Sequence, residues 1–146
     1  MRNSFAVLNE EYIQPMHRVS GLSNVELAEK AIEDFVTFVA RRTEFVQILI
    51  SESTQHTQRL EWLVSELLEP CMQDLRNAYA DGVRSNILVE MPTAQLVSLV
   101  LGAASQFFVM GSLNQALFSV DVRDKESADI HIAAVVKMLK KGLIVA

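Results

Sequence analysis

With 146 residues, half of them hydrophobic and 21% charged, the chain is long enough for one domain with a sizeable core and is not a disordered segment. Its net charge of −5 and its 13 scattered basic residues form no basic stripe, so this chain by itself is a poor nucleic-acid binder. A single cysteine, Cys71, excludes an internal disulfide and points to a reducing compartment, so a cytoplasmic location is expected.

The start, "MRNSFAVLNEEY", has one Arg and a short apolar patch followed by two glutamates, which is not a signal peptide. Phe5, Leu8 and Tyr12 mark a short first helix that Pro15 should end or bend. A strong start signal follows. Ser23 and Glu26 have capping-box spacing, and Leu22 and Leu27 are placed for a hydrophobic staple. Ala28, Ala31, Ile32, Phe35, Phe38 and Val39 then fall on one stripe, with Arg41 and Arg42 at the cationic end of the helix.

The third helix is expected over residues 43–56. Phe45, Val46, Ile48, Leu49 and Ile50 cover much of its circumference, which predicts deep burial. The fourth, residues 59–84, is about 39 Å long if regular. Its stripe runs through Leu60, Leu63, Val64, Leu67, Leu68, Cys71, Met72, Leu75, Ala78, Tyr79 and Val83. Pro70 lies in the middle of it and has no N–H to donate. Two accounts fit: a kink that opens space beside Cys71 and Met72, or a new helix beginning near Glu69. Asn86 is placed for a left-handed helix end.

The segment "ILVEM" is the nearest thing to a strand and reads as a short bridge. Pro92 opens a fifth helix, apolar nearly all round, at the first helical position. Its "GAAS" centre permits close approach of another helix. "SLNQALFSVDVRDK" reads as a connection with at most a turn of helix, and the last helix spans residues 125–141, with Gly142 placed to cap it. No apolar run approaches the ~18 residues of a membrane span. The expectation is a single all-α domain over residues 1–146, built as a six-helix bundle.

Three segments resemble the C-terminal effector-binding and dimerisation domain of TetR family transcriptional regulators. "LAEKAIEDFVTFVARRTEFVQILISE" is similar to that domain's helix pair. "LLEPCMQDLRNAYADGVRSNILVEMPTAQLVSLVLGA" is similar to its long central helix, turn, bridge and Pro-initiated helix. "AAVVKMLKKGLIVA" is similar to its terminal helix. The resemblance implies a homodimer that binds a small, mostly apolar effector and needs no cofactor. It also implies that DNA is contacted only through a helix-turn-helix domain, whose pattern this chain lacks; residues 1–18 resemble the remnant of the helix that leads to it.

Beside that resemblance, Phe35, Phe38, Phe45, Leu49, Trp62, Met72 and Tyr79 are candidates for pocket walls, with Phe107 and Phe108 closing the site. Glu52, His56, Gln73, Asn77 and Tyr79 are the polar groups within reach. The plain alternative is that the bulky residues simply fill a core, leaving a helical homodimeric interaction domain with no ligand. Leu96, Val100, Ala103, Ala104, Phe107 and Met110 on the fifth helix, with Ile130, Ala134 and Met138 on the sixth, are the candidate dimer interface. Such a pairing makes a four-helix contact about a twofold axis; the alternative is a monomer with the fifth helix at its centre.

Glu52 and His56 are four apart on one face but lack further ligands, so no metal site is expected. "ISES" has no nucleophile-elbow glycines and no strand before it, and the isolated glycines build no phosphate cradle, so no catalytic residue is assigned and the chain is read as a non-enzyme.

Overall fold

The computed structural model describes residues 24–55 and 58–145. The expected first helix, with Ser23, Leu22 and His56, lies outside them. Helix α1 spans Val25–Arg41. Its cap is Asn24, one residue after the serine that the spacing favoured: the Asn24 Oδ1 accepts the Leu27 N–H at 2.9 Å, satisfying one donor of the first turn. Arg42 ends α1 by donating its N–H to the carbonyls of Phe38 and Val39. Helix α2, Thr43–Gln55, begins at the next residue.

The long helix forms with one irregularity. Helix α3 spans Gln58–Leu63, a π-helical turn spans Val64–Leu68, and α4 spans Glu69–Arg84. The Glu69 N–H reaches back to the Val64 carbonyl, one residue further than in an α-helix. A wider turn just ahead of Pro70 relieves the crowding between the proline ring and the carbonyl four residues before it. Thus α4 does begin at Glu69, but with no gap in the helical run. At its other end Asn86 adopts φ 59°, and the Ile87 N–H turns back to the Gly82 carbonyl at 2.9 Å.

Helix α5 covers Thr93–Val109, with Pro92 as its N-cap, one position earlier than expected. Helix α6, Gly111–Phe118, is a true helix where a connection was expected, and it bends 64° from α5. Asn114 secures the bend by donating its side-chain amide to the carbonyls of Phe107 at 3.0 Å and Met110 at 3.2 Å. Gly111 is needed there, because a Cβ would lie 2.8 Å from the Cγ2 of Val122. Ser119, with φ 55°, turns the chain out of α6.

Asp124 caps α7, Lys125–Leu143, which runs past Gly142. Residues beyond it turn extended instead: Leu88 and Ile144 form an isolated antiparallel bridge, the only strand-like pairing among the described residues.

Helix α1 packs against α5 and α7, α2 packs against α5, and α5 packs against α7. The first core cluster contains Val36, Phe38, Val39, Phe45, Val46, Ala104, Val135 and Leu139. Each fully buried Val or Leu of this kind contributes about 1.5–3 kcal/mol of transfer free energy. A second cluster joins Ala28, Tyr79, Leu88 and Leu96. The expectation that α2 would be deeply buried is corrected: Phe45 and Val46 are buried, but Ile50 is 45% exposed, because α2 has core on one side only. Among the described residues no single helix is long and apolar enough to cross a membrane.

Candidate functional site

The interior wall facing the long helix comes from α1 and α2. Their junction is one residue long, which brings the aromatic end of α1 over the start of α2. Phe38 and Phe45 meet edge to face with ring centroids 6.4 Å apart. Phe35 and Leu49 pack on the same cluster, half-buried. Opposite them, the long helix supplies Leu67 and Leu68 from the π turn and Cys71 from the first turn of α4. Burial, with Asp74 nearby, pushes the Cys71 thiol above its ordinary pKa, so it behaves as an apolar group here and not as a nucleophile.

Further along, Tyr79 and Val83 fasten α4 to the second cluster. Between the two attachments lie Met72, Leu75 and Ala78. All three are half-buried, and none packs into either cluster.

The structure therefore brings Phe35, Phe38, Phe45 and Leu49 together, with Leu67, Leu68 and Cys71 of the long helix packed on the same cluster, whereas Met72 is half-buried and outside it. The remaining candidates are distributed. Trp62 is 57% exposed, while its neighbour Leu63 is buried. Glu52 is buried at the end of α2, and Arg59 of α3 pairs with it at 3.2 Å. Gln73 and Asn77 are exposed and hydrogen-bonded to each other at 3.3 Å. The Tyr79 ring is buried, and its hydroxyl donates to the Val89 carbonyl. Burial raises the Tyr79 phenol pKa; the Met91 backbone hydrogen bond opposes that shift, and the Glu90 carboxylate adds a smaller push upward.

Phe107 has a partner that periodicity did not reveal. Its ring stacks on the imidazole of His131, with centroids 4.4 Å apart and planes at 14°. Phe108 meets the same imidazole edge-on at 5.3 Å. The His131 Nε2 bonds the Ala103 carbonyl at 3.1 Å. The small residues of "GAAS" let α7 come close enough for this contact. Gly102 itself faces open space, whereas Ala104 and Ser105 are buried. A histidine at i+28 from its partner carbonyl leaves no local signal in the sequence.

The candidate interface residues also divide. Ala104 has no exposed surface and Leu96 is buried, so both have given their surface to the subunit's own core. Val100 and Ala103 are half-buried and pack on the first cluster. On the outer faces of the same helices, Leu99 of α5 and Ile130 and Met138 of α7 are each more than 60% exposed, and Ala134 is exposed beside them. A surface depression at the start of α7, lined by Asp124, Lys125, Glu126, Asp129, Ile130 and Ala133, is open to solvent and includes none of the aromatic-wall residues. Among the described residues no group of three or more His, Cys, Asp or Glu side chains is arranged to hold a metal ion.

The sequence matches the tetracyclin repressor-like C-terminal domain family over residues 25–139. The chain belongs to that family. No curated protein and no solved structure matches it significantly. Membership places the chain among the effector-binding and dimerisation domains of transcription regulators.

Proposed function

We propose that this domain senses a small, mostly apolar effector between the α1–α2 wall and the long helix, and that it dimerises through the outer faces of α5 and α7. The observation that carries the sensing half is the half-buried stripe of Met72, Leu75 and Ala78, held between two fastened segments of one helix yet packed into neither core cluster. An effector wedged there would touch Phe35, Phe45, Leu49 and Met72, with the face of Tyr79 at the far end. Such a site is apolar with few polar groups, and a thioether suits it because it adapts to many shapes. The π turn supports the reading, since such turns recur at functional sites.

The dimer half rests on Leu99, Ile130 and Met138, large apolar groups left more than 60% exposed on adjacent helices. The domain would act in the cytoplasm as a sensor and not as an enzyme. Any DNA contact would come from a helix-turn-helix domain outside this sequence.

A second reading, a helical dimeric interaction domain with no ligand, draws on the tight edge-to-face packing of Phe38 on Phe45. A thermal-shift screen separates the two. Apolar aromatics and fatty acids should raise the melting temperature of the wild-type protein, because a ligand that binds only the folded state stabilises it. The same compounds should leave a Met72→Trp variant unshifted, since the added bulk would fill the proposed site. No stabilising compound for either protein would favour the second reading.

A further inference from the structure

The pairing beyond α7 joins the end of the chain to the connector that follows α4, more than fifty positions earlier. The Val89 N–H donates to the Leu143 carbonyl at 2.8 Å, and the Val145 N–H donates to the Ile87 carbonyl at 2.7 Å. These two bonds flank the facing pair Leu88 and Ile144, which makes it a non-hydrogen-bonded antiparallel pair with closely approaching side chains. Leu88 is buried, and Leu143 and Ile144 pack with it against Tyr79, Ala28 and Leu96. The other side of Val89 is held too, because its carbonyl accepts the Tyr79 hydroxyl. One residue of the connector is thus fastened to α4 by its carbonyl and to the C-terminal tail by its amide.

We propose that residues 143–145 form a clip through which the position of the long helix at Tyr79 is transmitted to the end of α7. Two backbone bonds at an edge with Val89 38% exposed make a local unit that opens more easily than the core helices. A displacement of Tyr79 moves the Val89 peptide and misaligns both bonds together, because they bracket a single residue pair. The tail then frees the last turn of α7, where Lys140 also pairs with Glu29 and Glu33 of α1. The consequence for subunit pairing rests on the dimer reading given above; the clip itself does not.

Amide hydrogen exchange on the whole chain tests it. In Tyr79→Phe the Val89 and Val145 amides should exchange roughly five- to tenfold faster, the scale of one lost hydrogen bond, while the Val135 and Val136 amides keep their rates. Because coupling is reciprocal, removing residues 145 and 146 should in turn accelerate exchange of the Ile87 and Leu88 amides, which bond the Gly82 carbonyl at the end of α4. If Tyr79→Phe does not fold, the tail deletion still decides. Unchanged Val89 and Val145 rates in the substituted protein, or unchanged Ile87 and Leu88 rates in the shortened one, overturn the clip. These rates judge it whether the protein sediments as monomer or dimer, so a failure of the dimer reading is told apart from a failure of the clip.

Discussion

His131 and Phe107 lie face to face, with ring centroids 4.4 Å apart, and the imidazole also bonds a carbonyl of the helix that carries the phenylalanine. Burial lowers the His131 pKa below its ordinary 6.5, against the smaller opposing effect of the Ala104 and Ala103 backbone. Folding therefore favours the neutral ring. The stability that it contributes is complete above the unfolded value and is lost as pH falls through the folded value. Urea unfolding of wild type and His131→Gln should diverge accordingly. Between neutral pH and about pH 5 the wild type should lose more stability than the variant, whose amide keeps a donor for the carbonyl but does not titrate. Parallel curves would mean that the ring does not titrate in this window.

Two adjacent residues of α3 should respond oppositely to truncation. Leu63 is 1% exposed and Trp62 is 57% exposed. Leu63→Ala should cost about 2–5 kcal/mol through lost burial and a residual cavity. Trp62→Ala should stay within about 0.5 kcal/mol, as exposed positions generally do. Denaturant midpoints at constant slope measure both.

Pro70→Ala restores an N–H and removes the ring that crowds the preceding turn. A proline in an uninterrupted helix costs about 3 kcal/mol relative to alanine. The π turn already relieves part of that cost, so the substitution should stabilise the fold by less than this, on the order of 1 kcal/mol. If the widened turn shapes the effector site, the same change should alter the thermal shift produced by any compound that stabilises the wild type. A stabilised protein with an identical ligand response would separate Pro70 from the site.

Met138→Glu places a charge on the outer face of α7, at a side chain 62% exposed in the single subunit. Sedimentation velocity should show a dimer for wild type and a monomer for the variant, with the fold retained. An unchanged sedimentation coefficient would remove this face from the interface.

Most of the helical framework was legible because apolar spacing and end signals agree. The α1–α2 break at Arg42, the end of α4 at Arg84 and the start of α7 at Lys125 fall where cations, turn residues and caps put them. What was not legible depends on distant neighbours. Val36 is fully buried, yet the stripe drawn through Phe35 and Phe38 passed it by. Adjacent positions lie close on a helix surface, and only the packing of α5 and α7 decides which points inward. Ile50 looks like core from its spacing and is exposed. Gly142 looked like a helix end, but the tail pairs with residues 87–89, a partner more than fifty positions away in sequence. At the candidate site, the aromatic wall of α1 and α2 could be read from residue type and spacing. The exposure of Trp62 could not, since only packing decides that its neighbour Leu63 points inward, and neither could the engagement of the Tyr79 hydroxyl with Val89 of the connector.

Native mass spectrometry of the purified protein addresses the sensing claim most directly. The expected spectrum is a dimer carrying a small apolar molecule, either retained through purification or taken up from a compound mixture, with Met72→Trp giving the same dimer bare. A wild-type protein whose mass matches its sequence alone, and which takes up nothing from such a mixture, would contradict the account.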